Sequence, residues 1–375
     1  MKSRRSDSLE AGGTSRKRIL TIDGGGIRGV FAIEILVRME ELLREHHRNP
    51  ELVLADHFDF IAGTSTGAII ATFLSWGDSA VHIREMYAEI GPRMFARPSL
   101  LKRRKALYSA QALSEFLRGY FSEDDQGEVP ALLGTEKLRT LLMVVMRNAD
   151  SGSAWPVTNN PRAKFNQRDL PDCNLDIPLW QLVRASSALP VFFPPEKVVL
   201  GGTEFTFVDG GVTAYANPSV IAFLTATLPC YRVGWPCGTD RLRVVSVGTG
   251  RAKSSTGPGR RDRLGILQDA VNLPIELTES INTEQDLICR VLGQCEFGDP
   301  IDMELGDLAG PGVLADGEKK FAYVRYNQVF NRQEVAAAES EFAGRFRPDN
   351  FAMIPWLQRA GAAYAQHHVR LEHLL

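Results

Sequence analysis

No CxxC pair occurs anywhere in the 375 residues, and the cysteines, Cys173, Cys230, Cys237, Cys289 and Cys295, are odd in number. That argues against a disulfide framework or a cysteine zinc site. No run is long and apolar enough to span a bilayer, and the basic N-terminus "MKSRRSDSLEAGGTSRKR" has no apolar segment of the kind a secretory signal needs. The expected location is therefore cytoplasmic. An excess of either charge is also missing: 43 Lys and Arg stand against 45 Asp and Glu. Global electrostatics thus draw the chain neither to a nucleic acid polymer nor to an anionic membrane, and any such attraction has to be local. Histidine is scarce, and none lies between residues 83 and 366.

Apolar residues make up 44% of the chain and charged residues 23%, which suits one large α/β domain with additions. Residues 1–16 read as a disordered arm. "RILTID" at 18–23 is a β-prone run that stops at glycines, and "VFAIEILVRMEELLREHH" at 30–47 repeats apolar residues at helical spacing. "HFDFIAG" and "TGAIIATFLSW" repeat the arrangement of strand, tight turn and helix around Ser65. Helical patterns follow at 81–94 and 109–121, then a buried strand at 141–146. "IPLWQLVRASSALPVFF" reads as a helix broken at Pro190, "FTFVDGG" as a strand ending on Asp209, and "LRVVSVGTG" as another strand. "NPSVIAFLTATL" opens with Asn217 as N-cap and Pro218 at the first helical position. Residues 248–263 read as a mobile loop, "FAYVRYNQVF" at 321–330 as one more strand, and 264–294 and 331–375 as amphipathic helix. Such alternation implies a mainly parallel sheet covered on both faces, an α/β/α sandwich with a helical C-terminal region.

Three glycine-rich turns carry the candidate chemistry. "GTSTG", Gly63 to Gly67, satisfies GxSxG: a serine on a sharp strand-to-helix turn needs small neighbours, and the helix N-terminus supplies positive potential. The competing reading is a serine in an ordinary βα turn. "DGGGIRG", Asp23 to Gly29, lets backbone N–H groups converge on a small anion, as an oxyanion hole requires. Gly24, Gly26 and Gly29 also fit the dinucleotide pattern GxGxxG, but that reading needs an acidic residue ending the next strand, where this chain has Ser65.

A serine nucleophile needs a proton acceptor. His46, His47, His57, His82, His367, His368 and His373 are poorly placed in sequence: the last three belong to a terminal helix, and His57 precedes the Ser65 strand. A desolvated aspartate can serve instead, and Asp209, followed by Gly210 and Gly211, ends an apolar strand where strand C-termini gather ligands. Taken alone, Asp-Gly is also a common turn.

Together "DGGGIRG", "GTSTG" and "DGG" resemble, in this order, the motifs of the patatin-like phospholipases, with "ASSALPVFFPP", "DGGVTAYANP" and "YVRYN" as further similar segments over roughly 17–335. The resemblance implies Ser65 as nucleophile, Asp209 as sole base and an oxyanion hole built by Gly24, Gly25, Gly26 and Arg28. It also implies a lipid acyl hydrolase on a three-layer α/β/α sandwich, with no metal or organic cofactor. The segment 336–375 lies outside the likeness, and covering the site, self-association and receiving a regulatory signal are all open to it. The implied substrate is membrane phospholipid, met by peripheral contact at the inner face. "MFARPSLLKRRKALY" at 94–108, apolar anchors beside a basic cluster, is the candidate for that contact, with a solvated loop as the competing reading. Some bacterial proteins that the chain resembles are phospholipases switched on by cyclic nucleotides in anti-phage defence, for which "GRRDR" at 259–263 is a candidate phosphate contact. A non-catalytic lipid-binding protein on the same fold remains the alternative.

Overall fold

The computed structural model describes residues 15–94, 106–252, 266–309, 317–342, 346–347 and 349–375. Most of the arm, residues 95–105 of the basic apolar stretch, and "GRRDR" lie outside the described residues.

The strands are β1 (Lys17–Ile22), β2 (Phe60–Thr64), β3 (Leu141–Asn148), β4 (Ala154–Thr158), β5 (Glu196–Leu200), β6 (Thr203–Asp209), β7 (Leu242–Val247), β8 (Arg251–Ala252), β9 (Gln294–Phe297), β10 (Ala322–Tyr326) and β11 (Val329–Phe330). Nine of them form one sheet in the order β5-β6-β3-β2-β1-β7-β10-β9, with β4 also on β3. The pairs from β3 through β2, β1, β7 and β10 to β9 are parallel. Each central strand is apolar on both sides, because each face of the sheet is covered.

Alternate residues separate the two cores. Leu20, Ile61, Leu142, Val144 and Val245 share one cluster, and Ile19, Phe60, Leu141, Met143 and Val244 the other. The first layer holds α1 (Gly29–His47), α2 (Thr66–Trp76), α3 (Ala80–Met94), α4 (Gln111–Tyr120) and α5 (Leu179–Ser186). The second holds α6 (Ser219–Thr227) and α7 (Ile266–Leu292). The result is a three-layer α/β/α sandwich with a mainly parallel sheet, as the alternation predicts. Phe73 and Leu74 of α2 are core residues, not a groove lining. The C-terminal region is helical too, with α8 (Arg332–Glu341), begun by Asn331 and Glu334 in a capping box, and α9 (Ile354–His368). Helix α9 lies so close on α1 that a Cβ at Gly361 would come within 2.9 Å of the Phe31 carbonyl.

Several boundaries differ from the sequence reading. Helix α5 stops at Ser186, four residues before Pro190, since Leu189 precedes a proline and Val191 takes φ 74°. The stretch 321–330 is two strands, interrupted at Asn327, whose side chain accepts the Gly250 N–H at 3.0 Å. Helix α6 begins at Ser219 with Pro218 as its cap residue, although Asn217 Oδ1 still accepts the Ser219 N–H at 3.0 Å. Strands β4, β5 and β9 have no counterpart in the sequence reading, and Arg251 and Ala252 of the expected loop form β8.

One correction bears on the site. Asp209 reaches the C-terminal edge of the parallel strands on a strand that runs against them, because β6 pairs antiparallel with β3. Along β3, β2 pairs from Leu141 to Val145 and β6 from Met146 to Asn148, while β4 spans 143–147. The overlap with β4 puts β2 and β6 on one edge of β3, running toward each other. Ser65 and Asp209 therefore meet where the two strands end.

Candidate active site

Ser65 sits between the end of β2 and the start of α2 at φ 57° and ψ −123°, a conformation that a non-glycine residue keeps only when its surroundings impose it. The flanking glycines explain how the chain affords it. A Cβ at Gly63 would lie 2.1 Å from the Gly67 carbonyl oxygen, and one at Gly67 would lie 2.1 Å from that of Ile22. Both obstacles are backbone and cannot swing aside, so Gly67→Ala is expected to destabilise the fold by about 3 kcal/mol, checked as a lowered midpoint in urea.

Ser65 Oγ donates to Asp209 Oδ2 at 2.7 Å, and Gly211 donates its N–H to Asp209 Oδ1 at 2.6 Å. Asp209 is 1% exposed. Burial pushes its carboxyl up to about 7, against the opposing pull of the Ser65 hydroxyl, the Gly211 amide and the Arg184 guanidinium. Gly210 leaves room for this approach, since a Cβ there would stand 2.2 Å from the Val145 carbonyl oxygen.

The glycine loop after β1 passes over the serine, where a Cβ at Gly24 would be 3.2 Å from Ser65 Cβ. Gly24 spends its N–H on the Ala216 carbonyl at 3.1 Å. Gly25 and Gly26 donate theirs to no protein atom among the described residues. Gly25 packs where any side chain would strike Thr249, and Gly26 takes φ 59°. The base of the loop is tied down by Asp23, whose carboxylate receives two hydrogen bonds from Arg325 at 2.9 and 2.5 Å, both side chains nearly fully buried.

Arg28 does not follow its loop toward the serine. Its guanidinium pairs with Glu279 at 2.8 Å, lies over the Phe346 ring and lines a second, polar cavity with Arg325, Asp286 and Arg251. The groove that opens on Ser65 and Asp209 is instead walled by apolar side chains, among them Ile69, Leu113, Leu189, Phe192 and Phe193. Such walls suit a hydrocarbon chain leading to a polar pair.

The histidines are engaged elsewhere. His57 Nε2 bonds the Leu374 carbonyl, His373 Nδ1 the Tyr326 hydroxyl and His367 Nδ1 the Ala363 carbonyl, and no histidine lines the groove. Among the described residues no cluster of His, Cys, Asp and Glu has the arrangement of a metal site, and no helix is long and apolar enough to cross a membrane.

Three residues at or beside this site have no role in the sequence reading. Arg325 leaves one trace, a lone cation in the apolar strand "FAYVRY", which predicts a buried carboxylate partner. Ser186, bonded to the Ser65 amide, falls in the similar segment "ASSALPVFFPP", which gives it no role, and Arg184, 1% exposed against the Phe193 ring, falls in none.

The profile of the family described as patatin-like phospholipase matches residues 20–223, more than half of the chain. Patatin-like protein 1 of Arabidopsis thaliana is 33% identical over 259 residues, covering 63% of this chain and 59% of that one. A second Arabidopsis thaliana relative, named probable inactive patatin-like protein 9, is 32% identical over 67% of this chain and 65% of its own. The chain thus spans less than two thirds of the length of these curated relatives. Among solved structures, VipD from Legionella pneumophila aligns with a TM-score of 0.39 at 12% identity, over 94% of this chain and 66% of that one. ExoU in complex with SpcU from Pseudomonas aeruginosa aligns at 0.31 and 14% identity, over 73% and 52%.

Proposed function

This chain belongs to the patatin-like phospholipase family, and from that membership we propose that it is a lipid acyl hydrolase in which Ser65 is the nucleophile and Asp209 its only base. The observation that carries the reading is the 2.7 Å hydrogen bond from Ser65 Oγ to Asp209 Oδ2 at the end of an apolar groove. One relative is named as probable inactive, so the reading rests on this contact as well as on membership.

As Ser65 Oγ attacks an ester carbonyl, Asp209 takes its proton and the carbonyl oxygen becomes an oxyanion. The free N–H groups of Gly25 and Gly26, with the positive end of α2, stabilise that charge. Gly24 contributes by having no side chain, since its own N–H is committed. Arg28 contributes by anchoring the loop, its Nε donating to the Gly25 carbonyl at 3.4 Å while its Nη1 pairs with Glu279 at 2.8 Å. The C–O bond then breaks, and the departing alcohol or lysolipid takes the proton from Asp209, leaving Ser65 acylated. Water attacks the acyl group, giving its proton to Asp209; the fatty acid leaves and Ser65 regains the proton.

Membrane phospholipid as substrate, peripheral contact at the inner face of the membrane, self-association, and a cyclic nucleotide as activator in anti-phage defence extend the proposal and rest on the resemblance of the motifs. Fatty-acid release from mixed phospholipid vesicles, with and without a panel of cyclic nucleotides, tests it. Wild type should release fatty acid, and Ser65→Ala should lower the rate on the order of 10,000-fold or more with its circular dichroism unchanged. A wild-type protein inert on every lipid and activator would sink the reading.

A further inference from the structure

The end of α5 touches both members of the Ser65–Asp209 pair. Ser65 donates its backbone N–H to Ser186 Oγ at 2.9 Å, and Asp209 donates its backbone N–H to the Ala188 carbonyl at 3.0 Å. Ser186 in turn donates its hydroxyl to the Val145 carbonyl at 2.6 Å and is 0% exposed. Val145 is the residue at which β2 stops pairing with β3, and β6 begins at the next. One hydroxyl therefore stands at the junction of the two opposed strands, joined to β3 on one side and to the turn holding Ser65 on the other.

We propose that Ser186 is a positioning residue for the reaction: its hydroxyl holds the Ser65 amide and so keeps Oγ aimed at Asp209. The inference rests on the reading of Ser65 as nucleophile. Ser65 lies at a positive φ, one residue ahead of a helix, where its N–H has no carbonyl acceptor among the described residues. Without Ser186, that amide and the Val145 carbonyl both lose their buried partners. The turn then relaxes toward an ordinary φ, rotating Oγ away from the carboxylate. Displacements of about 1 Å between reacting groups lower rates on the order of 100-fold. Ser187, the next residue, lines the groove, so the segment that aligns the pair also borders the substrate.

A serine that merely satisfied the Val145 carbonyl would affect stability and leave Ser65 reactivity untouched, and an alkyl fluorophosphonate separates the two roles. In labelling, Ser65 Oγ bonds to phosphorus, fluoride departs and the hydroxyl proton leaves with it as hydrogen fluoride. Labelling rate is measured per folded molecule, alongside kcat, KM and melting temperature. Ser186→Ala is expected to label, and to turn over ester, roughly 10 to 100 times more slowly, with KM within about twofold of wild type. Ser186→Thr restores the hydroxyl and should recover to within about fivefold. Ser186→Cys keeps the volume but not the strong hydrogen bonds, so it carries the test if the alanine variant fails to fold, and it should label slowly. An alanine or cysteine variant that labels at the wild-type rate, or a folded threonine variant as slow as alanine, overturns the role. Wild type that does not label at Ser65 would instead overturn the nucleophile reading beneath it.

Discussion

Asp209→Asn should remove about 100- to 10,000-fold of the esterase rate while leaving the protein at least as stable as wild type above pH 7. The geometry allows the exchange: the amide oxygen can accept the Gly211 N–H, as Oδ1 does now, and the amide nitrogen can face Ser65 Oγ. What disappears is the capacity to take a proton. The pH dependence of the wild type supplies a second reading of the same group. The carboxyl titrates near 7, so kcat/KM should rise with pH through that value as Asp209 ionises, then level off. Residual activity of the asparagine variant should lack the inflection.

Stability should move the other way. The unfolded carboxyl ionises near 4, so between about 4 and 7 the folded state keeps a proton that the unfolded state has released. Stability attributable to this group therefore falls as pH rises across that window, by a few kcal/mol, and above 7 the full burial penalty is present. Asparagine carries no such penalty. Melting curves of the two proteins at pH 5 and pH 8 would show the variant gaining on wild type at the higher pH. An asparagine variant with wild-type activity would mean that another group takes the proton.

Arg325→Met should destabilise the protein by about 3–5 kcal/mol, because it strands the Asp23 carboxylate in a fully buried place. Burial already raises Asp23, and Arg325 is the largest influence opposing that rise. Once the guanidinium is gone, Asp23 will hold a proton to higher pH, and the folded state binds more protons than the unfolded one. The deficit should then shrink as pH falls, which urea titrations at pH 5 and pH 8 would register. Adding Asp23→Asn should recover part of the loss, since a neutral amide tolerates the site better than an unpaired carboxylate. If Arg325→Met were as stable as wild type at pH 8, the pair would not be what holds the glycine loop.

Local chemistry made the three glycine-rich turns readable. Each obstruction that demands glycine lies within a strand end and the helix after it, as with Gly63 against Gly67, or arises where such a turn crosses its neighbour. The doubly covered sheet was equally plain, since runs such as Leu141 to Met146 are apolar without alternation. Direction was not legible: Asp209 ends an apolar strand whichever way β6 runs, and only pairing with Met146 to Asn148 decides it. Pro156 inside "AWPVT" masks β4, which sits at an edge where a missing N–H is tolerated. Ser186 stands in the family-like segment "ASSALPVFFPP", but its role was not legible, because nothing near it in sequence changes when its hydroxyl bonds a residue 121 positions away.

The distance in sequence between the parts of this site also sets an order in time. Asp23 and Arg325 are 302 residues apart, and β1 lies between β2 and β7. At about 5–20 residues per second, a ribosome delivers Ser65 roughly 10 to 50 s before it delivers Arg325. Throughout that interval the growing chain carries its serine beneath a glycine loop whose Asp23 carboxylate still lacks its guanidinium partner. The loop proposed to stabilise the oxyanion is thus completed late in synthesis, and a chain cut short before β10 carries the serine beneath a loop with an unpaired buried carboxylate at its base.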